Sequence, residues 1–172
     1  MKTLIIKQKD DLSKSLNKDG DLIFNGNLKL EIPIAIRGNI NISGDVDSLC
    51  KIKSFYNIEI GGHIDVLGDL IADGSLNAVG NITVSRGLHA YGHIKSTGDI
   101  KAENISTLGY ILCYGHVTSR GYIEADGNIF CYGDLIARSY IRSDRDIIIY
   151  GIINSRFNKI RCKKLKQRKL KQ

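Results

Sequence analysis

Glycine returns at Gly26, Gly44, Gly62, Gly80, Gly98, Gly115, Gly133 and Gly151, every 18 residues except for one interval of 17. That interval is three words of six residues. A chain that repeats one short unit cannot bury a face within the unit, so it must stack neighbouring units to make a core. The spacing therefore predicts a solenoid with three sides per coil.

From residue 20 the words read GDLIFN, GNLKLE, IPIAIR, GNINIS and onward, with one residue missing at 104–108 and a last word slipped by one at 160–162, 24 words in all. The third position is always aliphatic, from Leu22 and Leu28 to Ile147, Ile153 and Ile160. The fifth is usually small, as at Ala72, Ala90, Cys113, Ser119, Cys131 and Ser143, and the second, fourth and sixth are mostly polar. Such alternation marks strands with one buried face. Glycine at the first position falls where the chain turns a corner, where a side chain would crowd the interior or need positive φ. Sorted by side, one side has Gly at all 8 first positions, the second at 6 of 8 (Tyr56 and Arg145 replace it), and the third only at Gly68 and Gly121. Unequal corners of three kinds fit three sides and no other number. About eight coils at the sheet spacing of about 4.8 Å give a rod about 38 Å long.

The reading is an all-β, single-stranded, three-sided parallel β-helix occupying residues 20–160, with residues 1–19 as a cap and residues 161–172 as a tail. In the cap, Thr3 to Lys7 reads as a strand and Asp10 to Lys18 as a short helix, with Asp10 able to cap it and Leu12 and Leu16 on one side. The single proline, Pro33, lies inside the repeat. Net charge is +7, and residues 161–172 hold 7 Lys or Arg and no acid, leaving 18 bases against 18 acids before them. The tail thus carries the whole excess. It is expected to be a disordered, solvated extension, with nucleic acid, an acidic partner or an anionic membrane surface as its possible contacts. No run is long enough to span a bilayer, and the stretch Leu4 to Ile6 is too short for a signal-peptide core, which points to the cytoplasm.

Stacking coils turns the outward positions into columns. On one side the sixth position ends Tyr114, Tyr132, Tyr150 and the fourth ends Leu112, Phe130, Ile148. Six large apolar groups side by side on a surface point to a protein interface, either between copies, as a dimer or a filament, or with another protein. The next side ends its sixth column in Arg120, Arg138 and Arg156, with Tyr122 and Tyr140 just beyond the corner. Like charges about 5 Å apart repel, so this column calls for an anion. Asp126 and Asp144 on the third side are the intramolecular candidates to neutralise it. A phosphate track is the alternative, using those arginines, Tyr122, Tyr140 and the tail cations Lys163, Lys164, Lys166, Arg168 and Lys169.

Catalytic chemistry is not expected. His63, His89, His93 and His116 occupy outward positions and are not forced beside a nucleophile or paired carboxylates. Asp65, Asp69 and Asp73 are close in sequence, but no inserted loop shapes a cleft around them. Cys113 and Cys131 point inward one coil apart and read as small core residues; no CxxC is present, and the histidines face away, so neither a disulfide nor a zinc site is expected. The glycines are not followed by a helix and make no phosphate-binding loop. No cofactor, metal or small-molecule substrate follows from these residues.

The words GDLIAD, GNITVS, GHIKST, GDIKAE and GDLIAR, within residues 20–156, resemble the repeats of bactofilins, polymer-forming bacterial cytoskeletal proteins. The resemblance implies a right-handed, three-sided β-helix without an enzymatic site that associates end to end or laterally. Hexapeptide acyltransferases place the aliphatic residue immediately before Gly, whereas here Gly92 precedes Ile94 by two, so acyl transfer is a distant third. The leading expectation is a non-enzymatic scaffold or interaction module. Its alternative is a nucleic-acid binder, or an inhibitor of a nucleic-acid enzyme carried by a mobile element.

Overall fold

A computed structural model describes residues 1–156 and 159–168. Among them the strands form three parallel sheets of 9, 9 and 8 strands. Sheet A runs from Thr3–Ile6 and Asn27–Leu30 to Ile153–Ser155, sheet B from Leu22–Phe24 to Lys164–Gln167, and sheet C from Ile34–Ile36 to Ile160–Arg161. The chain visits B, A and C in turn. Each strand pairs with its counterpart one coil away, as Ile40 with Ile58 and Ile58 with Leu76. The three-sided all-β solenoid read from the glycine spacing is the fold.

The third position builds the core because alternation turns it inward on every side. Leu22, Ile58, Ile94, Ile111, Ile129 and Ile147 are all buried, stacked in register along the axis. Burying a side chain of this size contributes about 2 kcal/mol. The fifth position is also inward, and most of its hydroxyls find a carbonyl there, Ser155 being an exception among the described residues. Ser54, Ser119 and Ser143 donate to the carbonyls of Gly38, Glu103 and Gly127 at 2.8, 2.7 and 2.8 Å. Cys113 and Cys131 occupy the same place, with Sγ 3.1 Å from the Gly98 carbonyl and 3.4 Å from the Gly115 carbonyl. Both thiols are free and buried. The adjoining Cys131 sulfur and burial push the Cys113 thiol far up, so it stays protonated.

The corner glycines serve a purpose other than the expected ones. Positive φ occurs only at Gly20 (80°) and Gly26 (155°) among the described glycines. What excludes a side chain is the coil before, rather than the interior. A Cβ on Gly98 would collide with the Asn81 Oδ1 and lie 3.0 Å from the Gly80 carbonyl carbon. On Gly133 it would lie 2.7 Å from the Gly115 oxygen.

That same corner explains the second position. Its side chain accepts a hydrogen bond from the backbone N–H one coil on: Asn39 from Asn57 at 3.1 Å, Asn57 from Ser75 at 2.8 Å, Asn128 from Asp146 at 2.9 Å and Asp134 from Ile152 at 2.7 Å. Three of the four histidines do this too. Nδ1 of His63, His93 and His116 accepts from Asn81, Tyr110 and Asp134 at 3.0, 3.2 and 2.9 Å. They act as corner acceptors, which their outward position alone did not reveal.

The 17-residue step removes a corner residue and leaves the stack intact. Ile82 pairs with Ile100 at the usual spacing, Leu88 with Ile105 at the short one, and Ile105 with Ile123 at the usual spacing again. The loss falls on sheet C, whose corners rarely carry glycine.

At the N-terminal end Thr3–Ile6 extends sheet A, and the helix Lys9–Ser15 follows where sheet C would add its next strand. Leu12 and Leu16 pack against the core. The cap differs from expectation: it falls two residues earlier, at Gln8 rather than Asp10, and Asp11 accepts the Lys7 and Gln8 N–H groups at 3.0 and 3.1 Å. Those bonds, led by that of Lys7, lower the Asp11 pKa.

The expected tail is corrected as well. Lys164–Gln167 is the last strand of sheet B, with Leu165 on Ile147 and Lys166 on Ile148. Leu165 sits one coil after Ile147 at an inward position, so residues 163–168 form a further word of the repeat. Its fifth residue, Gln167, is neither small nor apolar, and the flanking lysines mask the pattern. Lys169 lies outside the described residues. Among those described, no helix is long and apolar enough to cross a membrane.

Candidate functional site

Sheet B changes character along its outer face. In its first five coils the fourth and sixth positions are Ile23, Asn25, Asn41, Ser43, Glu59, Gly61, Asn77, Val79, Lys95 and Thr97, and they bound an open groove of about 690 Å³. The sixth-position column is low there, since Ser43 is small and Gly61 has no side chain at all. In the next three coils it becomes Tyr114, Tyr132 and Tyr150, whose rings stack at 4.8 Å with interplanar angles of 12° and 6°.

Beside them run Leu112, Phe130 and Ile148, aligned by the backbone register and each half-buried. The six residues expected as an interface are therefore one contiguous surface. Tyr114 is the most open, at 54% exposure, and Tyr132 retains 37%. Because each ring covers the face of the next, the ladder presents ring edges and hydroxyls outward. That geometry suits burial against another folded surface better than intercalation of a flat base. Lys95 flanks the patch at one end and Lys166, held 3.1 Å from Asp146, at the other.

The Arg column stands where expected, at the corner leaving sheet A. Arg120 and Arg138 are exposed, and among the described residues neither has an ion pair; Arg156 has an interaction of its own. The acidic column does not neutralise them. Asp144 is held instead by Arg142 of its own strand, through two bonds of 3.0 Å, and Arg142 also pairs with Glu124. The Asp144 bonds come first among the causes that raise the Arg142 pKa. Tyr122 and Tyr140 stack at 5.3 Å and 7°. The Tyr140 hydroxyl donates to Glu124 at 3.1 Å, and burial followed by that bond pushes its pKa up. Glu124 and Arg142 were not singled out from the sequence. They are fourth-position neighbours one coil apart, so aligning coils on that side would have found them.

A nucleophile-like pair lies on sheet C, where His89 Nδ1 is 2.6 Å from Ser106 Oγ beside a Lys53–Asp73 ion pair of 3.1 Å. Desolvation lowers the His89 pKa. The nearby N–H groups of Tyr91 and Leu108 are committed to the ladder, donating to Ala72 and Ala90. They are not available to stabilise a developing oxyanion, which is the largest contribution an acyl-transfer site must supply. Among the described residues no group of three or more His, Cys, Asp or Glu is placed to hold a metal. No protein-family model, curated protein or solved structure matches this chain.

Proposed function

We propose that this chain is a non-catalytic interaction module, a rigid solenoid that associates with a protein surface through the outer face of sheet B, and first of all with a second copy of itself. The stacked column Tyr114, Tyr132, Tyr150 beside Leu112, Phe130, Ile148 carries this reading. A preformed ladder orders few side chains on binding, so the apolar area it removes from water is offset by little entropy. Scaffolding of the kind seen in bactofilins is compatible with it. The test is the double substitution Phe130→Asp and Tyr132→Asp. Assembly, read by light scattering after size exclusion, should be lost while the thermal transition changes little; an unchanged assembly would reject the reading.

A second reading rests on Arg120 and Arg138, which lack acidic partners among the described residues and lie near the stacked Tyr122 and Tyr140. It assigns an anionic track, with Lys163, Lys164 and Arg168 extending the positive surface onto the last coil. Binding of a single-stranded oligonucleotide should then weaken steeply with salt and fall on Arg120→Glu with Arg138→Glu. Salt-insensitive binding, or none, excludes it.

A further inference from the structure

We infer that two copies pair with their solenoids antiparallel, the aromatic ladder of each lying in the sheet B groove of the other. This rests on the self-association proposed above and adds its geometry. The argument starts from relief. One face carries both a raised apolar ladder three coils long and a recessed stretch of five coils, long enough to receive it.

With their solenoid axes aligned, two copies can place this face on itself about a two-fold axis in two ways. If the axis runs along the solenoid, ladder meets ladder, and the raised rows hold the grooves apart and wet. If it runs along the strands, coil order reverses while the fourth- and sixth-position columns keep facing their own kind. Ladder then meets groove twice, once in each direction, as an isologous contact requires.

With that axis between the strands Ile94–Ser96 and Ile111–Cys113, Tyr150 of one copy comes over Gly61 of the other, Tyr132 over Val79, and Phe130 over Asn77. Tyr150 thus meets the position that has no side chain. Val79, 65% exposed in the single chain, is covered. Charge agrees with this direction. Glu59, the acidic residue of the groove, has no ion pair among the described residues, and the pairing brings Lys166 and Arg168 to within one coil of it. In the parallel arrangement Glu59 would lie level with its own copy and far from those cations.

A spin label at Lys9→Cys, in a background of Cys50→Ser and Cys162→Ser, measures the direction, because it reports from the N-terminal end outside the contact. Antiparallel pairing separates the two labels by more than about 40 Å, and parallel pairing brings them within about 25 Å, from the coil spacing of about 4.8 Å. Val79→Asp is the second arm: at a position 65% exposed in the single chain it sets a carboxylate opposite Tyr132 without altering the ladder, and should weaken dimerisation at least tenfold while the melting temperature of the monomer stays within a few degrees. A dimer with the short label distance, or one indifferent to Val79→Asp, overturns this inference and leaves the self-association reading standing. A monomer at all concentrations removes both.

Discussion

The two halves of sheet B share an inner wall and differ outside. Ile58 and Ile129 sit at the same inward position, both buried, and Asn57 and Asn128 make the same corner bond at 2.8 and 2.9 Å. Outward, Glu59 and Gly61 face Phe130 and Tyr132 across four coils. The inward and corner positions are therefore set by stacking, which every coil must satisfy, and the outward positions are free to vary. On sheet B that freedom separates a polar, recessed part from an apolar, aromatic one.

Substitutions that treat the halves as equals should have equal effects. The largest is in the core: Ile58→Ala and Ile129→Ala should each cost about 3 kcal/mol in denaturant unfolding, through lost burial and the cavity left behind. A much smaller cost in one half would mean that the halves do not share a continuous core. Next come the corners, where Gly44→Val and Gly133→Val should each cost about 2–3 kcal/mol, since the new side chain meets the preceding coil's backbone. Removing a corner acceptor is milder, with Asn57→Ala and Asn128→Ala each costing about 1 kcal/mol for one unsatisfied N–H.

On the outer face equality should break. Phe130→Asp with Tyr132→Asp abolishes assembly, whereas the same charges on exposed sheet C positions do not. The smallest effect concerns His89. Its folded pKa lies below the ordinary 6.5, so its contribution to stability is complete above that value and is lost as pH falls through the folded value. His89→Gln should flatten that acidic slope in a pH series of melting temperatures.

The fold was legible because glycine and aliphatic positions answer to the same stacking constraint. Gly98 and Ile94 can be placed without coordinates once the 18-residue ruler is laid down. Two features escaped for physical reasons. The strand Lys164–Gln167 follows the ruler from Ile147 to Leu165, but charge and Gln167 disguise it, because outward lysines tolerate any composition that inward ones do not. The corner bonds of His63, His93 and His116 escaped because an acceptor can be Asn, Asp, Ser or His alike, so residue type alone conceals the shared role. The site was legible as columns, yet the groove was not, since a recess is made by what Gly61 and Ser43 lack.

Light scattering coupled to size exclusion, at low and at high salt, tests the central claim most directly. The unmodified chain should run above its monomer mass of 19.1 kDa at both salt concentrations, because apolar contact holds it, and Phe130→Asp with Tyr132→Asp should return it to that mass. A monomer throughout, or an assembly that dissolves in salt and ignores those two substitutions, would contradict the account.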